Sequence, residues 1–139
     1  MLRERLHHLL AALHPVLHAD AARALEGEGK LLSPSHTDLH PPDTQKSALL
    51  AGIWPLLTLF VAQSISPDVD LLLASSVAVA VECYVCAIDL LDDVMDEDQT
   101  TTLQALGIAR TLNVSTALLV LAQQSILSLS RQGVAPAPI

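Results

Sequence analysis

From Pro67 to Asp96 the chain offers one helix of roughly thirty residues, apolar along nearly its whole length and ending in a burst of carboxylates. A helix of that length and composition must be buried, either in the centre of a helical bundle or in a membrane. Its last part reads Ala-Ile-Asp89-Leu-Leu-Asp92-Asp93-Val-Met-Asp96-Glu97-Asp98, and Asp89, Asp92, Asp93 and Asp96 recur at i, i+3, i+4 and i+7. One helical face therefore carries all four. Like charges at that spacing cost roughly 0.2 to 0.5 kcal/mol per pair and also oppose the macrodipole at a helix C-terminus, so local stability does not account for them. A divalent cation does. Hard oxygen ligands suit Mg²⁺, which is commonly held by one or two carboxylates, with water and a phosphate completing the octahedron. The competing reading is a solvated acidic helix end leading into a loop.

Composition narrows the surroundings of this helix. Hydrophobic residues are 51% of the 139 and aromatics 2%, a Leu/Ala-rich profile that favours an all-α helical bundle over a β-sandwich or a dinucleotide-binding fold. The length is that of one domain, 1–139. A net charge of −8 argues against a nucleic-acid surface, since nothing like a basic patch is present to neutralise phosphates. A diphosphate would need a metal bridge.

Around the central helix, Leu2, Leu6, Leu9, Leu10, Leu13 and Leu17 repeat at helical spacing and predict a first helix from about 2 to 25, with Pro15 as a possible break or kink. His7, His14 and His18 fall on one side of it. Glycine and proline between 27 and 46 predict a long loop, and a second helix is expected from Ser47 to Ser64. Ser66-Pro67-Asp68 has the form of a helix start. Thr101 to Gln104 has the form of a capping box opening a fourth helix to about Ser130, and 133–139 reads as a flexible tail.

Cys83 and Cys86, three apart on the central helix, read as buried small apolar side chains, because two thiols alone complete neither a tetrahedral zinc site nor a disulfide framework. The N-terminus mixes acid, base and imidazole and does not resemble a secretory signal, so the default expectation is a cytoplasmic protein. A small membrane protein is the competing class: 47–67 and 111–130 are uncharged. Pro55, Gln63, Asn113, Gln123 and several serines within them favour buried bundle helices instead.

The run Val81-Glu82-Cys-Tyr-Val-Cys-Ala-Ile-Asp-Leu-Leu-Asp92-Asp93-Val-Met-Asp96, followed by Thr102-Leu-Gln-Ala-Leu-Gly-Ile-Ala-Arg-Thr-Leu-Asn113 and Ala117-Leu-Leu-Val-Leu-Ala122, resembles the all-helical trans-isoprenyl diphosphate synthases, or polyprenyl synthetases. The resemblance covers about Leu71 to Ser130 and corresponds to the N-terminal half of that family, degenerate or truncated. It implies an isoprenoid-synthase-type bundle and a prenyltransferase reaction. Mg²⁺ would bridge the aspartates to an allylic diphosphate, the diphosphate would leave, and isopentenyl diphosphate would attack the allylic cation. On this resemblance Asp92 and Asp96 are the metal ligands, Asp93 supports them, and Asp89 either adds to the ligand sphere or orients a water. Tyr84, Ala87 and Ile88 would face the growing chain. Lys30, in Gly29-Lys30-Leu-Leu-Ser-Pro34, and Lys46 are the candidate diphosphate cations; no arginine pair follows Asp96.

The family's second aspartate motif falls in a half this chain does not contain. Three forms are compatible with that: a piece of a longer synthase, a half-length homologue completed by another subunit, or a non-catalytic helical scaffold that keeps the fold. A half-bundle also leaves apolar faces open, which predicts a homo-oligomer or a partner subunit.

Overall fold

The computed structural model describes residues 1–27, 30–33 and 52–131. Among them are six helices and no strand: α1 (Leu2–Leu10), α2 (Pro15–Leu25), α3 (Ile53–Ile65), α4 (Leu71–Met95), α5 (Thr101–Leu106) and α6 (Ile108–Arg131). Lys46, the tail at 133–139 and most of the 27–46 loop lie outside the described residues, as do the first residues of the helix expected from 47.

The α4–α6 pair is the most extensive helix contact and organises the rest. The two helices run antiparallel: Ser115 donates its hydroxyl to the Ala87 carbonyl at 2.9 Å, and Ser125 to the Ser76 carbonyl at 2.8 Å. Ten residues along α6 thus match eleven back along α4. Small side chains permit that approach, with Ser76, Ala80, Ala87, Ser115 and Ala122 all buried. The Ser115 and Ser125 hydroxyls each find a carbonyl, and the Ser76 hydroxyl oxygen accepts from the Arg5 guanidinium.

α1 and α2 close one side. Leu6, Leu10 and Leu25 are fully buried in a core shared with Val79, Cys83, Leu118 and Leu121. Asp20 of α2, itself buried, receives the Arg110 guanidinium of α6: Nε donates to Oδ2 at 2.9 Å and Nη2 donates to Oδ1. Such a two-point contact fixes rotation as well as distance. α3 packs on α4, but Pro55 is its only buried residue.

The helices differ from the sequence expectation at their ends, each time for a local reason. The 2–25 segment is two helices, because Pro15 cannot donate a backbone hydrogen bond and pushes His14 to φ −57°, ψ 142°. α4 starts four residues after Pro67. Ser66, Pro67 and Asp68 form a turn closed by the Val69 N–H on the Ser66 carbonyl at 3.0 Å, and Asp70 is the cap, accepting from the Leu72 N–H at 2.8 Å. Residues that start helices also suit turns. At the fourth helix the cap is Thr100 rather than Thr101, accepting from the Leu103 N–H at 3.3 Å.

Gly107 then divides that helix in two. Its φ of 74° with ψ of 160° is a conformation open to glycine alone, while a Cβ there would meet nothing within 4 Å. The whole cost of a side chain is therefore conformational. Gly107→Ala should destabilise the fold by roughly 1 to 3 kcal/mol, measured as a lower urea midpoint with an unchanged slope.

α4 and α6 are each long and apolar enough to cross a membrane, as is common for core helices of soluble bundles. More than half of the most apolar window of α4 is packed inside the protein.

Candidate functional site

The aspartates occupy the last turns of α4, where the helix ends on an unusual cap. Asp96 holds φ −89°, ψ 0°, and Glu97 follows with a left-handed φ of 57°. The Asp98 N–H reaches the Asp93 carbonyl at 2.9 Å, and the Asp96 N–H the Asp92 carbonyl at 2.8 Å. This is the six-to-one closure normally made with glycine at the left-handed position. A glutamate there costs about 1 to 2 kcal/mol. Strain of this kind, held beside a cluster of charges, belongs to places where structure serves something other than stability.

A cleft of about 530 Å³ opens where α4 ends, between the end of α2, the 30–33 segment and the start of α5. Asp89, Asp92 and Asp93 line it with Lys30, Cys86, Gln99 and Thr100 to Thr102. Lys30 is ion-paired with Asp89. Asp93 accepts from the Thr100 hydroxyl at 2.9 Å, so the residue that caps α5 is also tied to the aspartate motif. Asp92 is exposed and makes no side-chain hydrogen bond or ion pair among the described residues. Asp96, exposed and past the helix end, is not part of the cleft wall.

Of the residues expected along a prenyl chain, Ala87 is fully buried in the α4–α6 seam and does not line the aspartate cleft. Tyr84 and Ile88 are 55% and 43% exposed. Tyr84 stands about 140° around α4 from Asp89, in a separate apolar groove of about 510 Å³ with Val81, Ala122 and Leu127. Groove and cleft share no residue. Both cysteines are free and buried, and burial pushes each thiol up to about 12. The neighbouring charges on Cys86 act in both directions, Lys30 lowering it and Glu82, Asp89 and Asp93 raising it.

Glu82 is the residue whose role the sequence did not reveal. It is 1% exposed, and its Oε1 accepts the Leu31 N–H at 2.5 Å, while Oε2 has no partner among the described residues. Glu82 thus pins the 30–33 segment to α4, and Lys30 arrives at Asp89 from that anchored segment. The available signal was a single carboxylate inside a long apolar helix, which must find a donor when buried. Desolvation raises its pKa above the ordinary carboxyl value of 4.5, the Leu31 N–H and Lys30 opposing and Asp89 reinforcing the rise.

The donor set suits a hard cation, since the three cleft aspartates offer only oxygen. Among the described residues, however, no three His, Cys, Asp or Glu side chains are placed around one point to hold an ion, and this includes His7, His14 and His18. A cation would take part of its coordination from water and a phosphate, as Mg²⁺ commonly does. Comparison with protein-family models, with curated proteins and with solved structures returns no match. The isoprenoid-synthase resemblance rests on the motif residues alone.

The raised Glu82 pKa has a definite sign. The folded protein holds this proton more tightly than the unfolded chain does, so its contribution to stability is complete below about 4.5 and is lost as pH rises through the folded value. Glu82→Gln, which keeps the acceptor for Leu31 without the charge, should remove that loss. Urea unfolding from pH 4 to 8 is expected to show the stability of Glu82→Gln gaining on that of the native protein as pH rises; parallel curves would contradict a buried, reluctantly ionised carboxyl.

Proposed function

We propose that this chain is an isoprenoid-synthase-like helical bundle whose aspartate cleft binds an allylic diphosphate with Mg²⁺. The observation that carries the reading is the convergence in one cleft of Asp89, Asp92 and Asp93, the Lys30 ammonium and the hydroxyls of Thr100 to Thr102. Carboxylates alone would repel a diphosphate. Bound Mg²⁺ would supply the bridging positive charge and neutralise the charge that develops on a departing diphosphate. Asp92 is the carboxylate best placed to ligate, being exposed in the cleft wall, and Asp96, four residues on, is close enough in sequence to share the ion.

Lys30 has two roles in this reading. In the ligand-free cleft it neutralises Asp89, and a bound diphosphate would compete for the same ammonium. The threonine hydroxyls can donate to phosphate oxygens, with Thr100 giving up its bond to Asp93 to do so. Completed by further chain or by a second subunit, the same cleft would carry prenyl transfer to isopentenyl diphosphate, in a cytoplasmic enzyme. Alone, it would be a diphosphate half-site.

A second reading, a non-catalytic scaffold or partner subunit, is favoured by one specific observation. Asp89 and Asp93 already have partners in Lys30 and Thr100, so two of the carboxylates are accounted for without a ligand. Calorimetric titration with a non-hydrolysable allylic diphosphate separates the two. The diphosphate reading predicts binding that requires Mg²⁺ and falls at least about tenfold in the Asp92→Asn, Asp96→Asn double variant, equivalent to about 1.4 kcal/mol. Absence of binding with and without Mg²⁺ would leave the scaffold.

A further inference from the structure

We infer that the Lys30 ammonium is a tethered occupant of the cation position in the cleft, excluding a divalent ion until a diphosphate draws it away, an inference that rests on the diphosphate reading of this cleft. Of the described residues that line the cleft, Lys30 is the one cation, against Asp89, Asp92 and Asp93. Its side chain is 16% exposed and ion-paired with Asp89. A surface lysine normally gains little from such a pair, because ordering a long, flexible side chain offsets most of the attraction. Here the backbone is fixed first. The Lys30 N–H donates to the Gly27 carbonyl at 3.1 Å, the Leu31 N–H to Glu82 Oε1 at 2.5 Å and the Leu32 N–H to the Leu25 carbonyl at 3.0 Å, while the Ser33 carbonyl accepts from the Arg3 guanidinium at 3.1 Å. Every residue from Lys30 to Ser33 is thus fastened, and Leu31 and Leu32 are buried besides. The segment has no slack with which to follow a ligand, so only the stem of Lys30 can swing, from Asp89 to another anion.

Glu82 strengthens the hold on the ammonium. Its buried carboxyl lies about two turns before Asp89 on the same side of α4, with Oε2 unpartnered among the described residues. Lys30 acts on its charge as well, lowering the pKa that burial and Asp89 raise. One ammonium therefore serves two carboxylates. While it stays, Asp89 is committed to Lys30 and Asp93 to the Thr100 hydroxyl, which leaves Asp92 as the uncommitted carboxylate of the cleft. Mg²⁺ on one or two carboxylates normally relies on substrate phosphate for part of its shell, so Asp92 with water alone makes a weak site. A diphosphate changes both sides of this balance. Its oxygens offer the ammonium a more highly charged partner than Asp89, and the released Asp89 can join Asp92, three residues on along α4, around the ion. Metal and diphosphate then strengthen each other's binding by the same factor.

Free Mn²⁺, counted by electron paramagnetic resonance, reports metal binding by the purified full chain with and without inorganic diphosphate. Without diphosphate, Lys30→Gln should bind Mn²⁺ at least about tenfold more tightly than the native chain, a coupling of ordinary size, whereas Lys30→Arg, which keeps the charge, should stay as weak as native. Asp89→Asn approaches the same contact from the other side. By releasing the ammonium it should bind inorganic diphosphate without metal at least about tenfold more tightly than native, read by calorimetry. Helical circular dichroism should be unchanged in all three variants. Equal Mn²⁺ affinity in the native and Lys30→Gln chains, strengthened alike by diphosphate, would overturn the tethered cation and leave the diphosphate reading intact. A gain in Lys30→Gln with no effect of diphosphate on the native chain would uphold Lys30 as the occupant and overturn diphosphate as the ligand that releases it. Failure of every chain to bind Mn²⁺ under either condition would overturn both.

Discussion

The antiparallel seam between α4 and α6 fixes where everything else can go. It is built from small residues, which bring the helix axes close, and from two serine hydroxyls that cross to carbonyls of α4, which set the register. Once α4 is held along that line, its several faces receive different fates. The face with Ala87 and Cys83 is sealed in the core. The Tyr84 and Ile88 face stays open, and the aspartates of the last turns line the cleft between α4, the end of α2 and the start of α5.

The cleft works through compensation among neighbouring charges. Asp89 is held by Lys30, Asp93 by Thr100, and Lys30 itself is delivered by a segment whose Leu31 N–H is captured by the buried Glu82. A carboxylate in the core is unfavourable unless it is paired or hydrogen-bonded, and this one is only half satisfied. That arrangement is intelligible if the location of Lys30 matters more than local stability. The strained Glu97 at the end of α4 points the same way, being a side chain in a conformation that glycine would hold without cost.

Much of the architecture was legible in residue spacing. The apolar period of α4, its acidic end and the punctuating Pro15 announce an all-helical chain, and the burial of Cys83 and Cys86 follows from their place on the apolar helix. The boundaries were harder to read because single residues with two uses decide them. Ser66-Pro67-Asp68 can cap or turn, and Gly107 can sit in a helix or break it. In the site, the i, i+3, i+4, i+7 spacing puts four aspartates on one face, of which Asp89, Asp92 and Asp93 line the cleft and Asp96, past the helix end, does not, whereas the pairing of Lys30 with Asp89 joins residues 59 apart in sequence and has no local signature. The resemblance puts Tyr84 and Ala87 together along one prenyl chain. Helical rotation separates them, one onto an open groove and the other into the seam.

Manganese offers the most direct view of the central claim, that the aspartate cleft joins a divalent cation to a diphosphate. Mn²⁺ replaces Mg²⁺ at hard-oxygen sites and broadens the NMR signals of nearby nuclei. Adding it to the labelled protein with inorganic diphosphate should broaden the amides of Lys30 to Ser33 and of Asp89 to Thr102, and do so far more weakly without diphosphate. Broadening centred on His7, His14 and His18, or equal with and without diphosphate, would contradict the account.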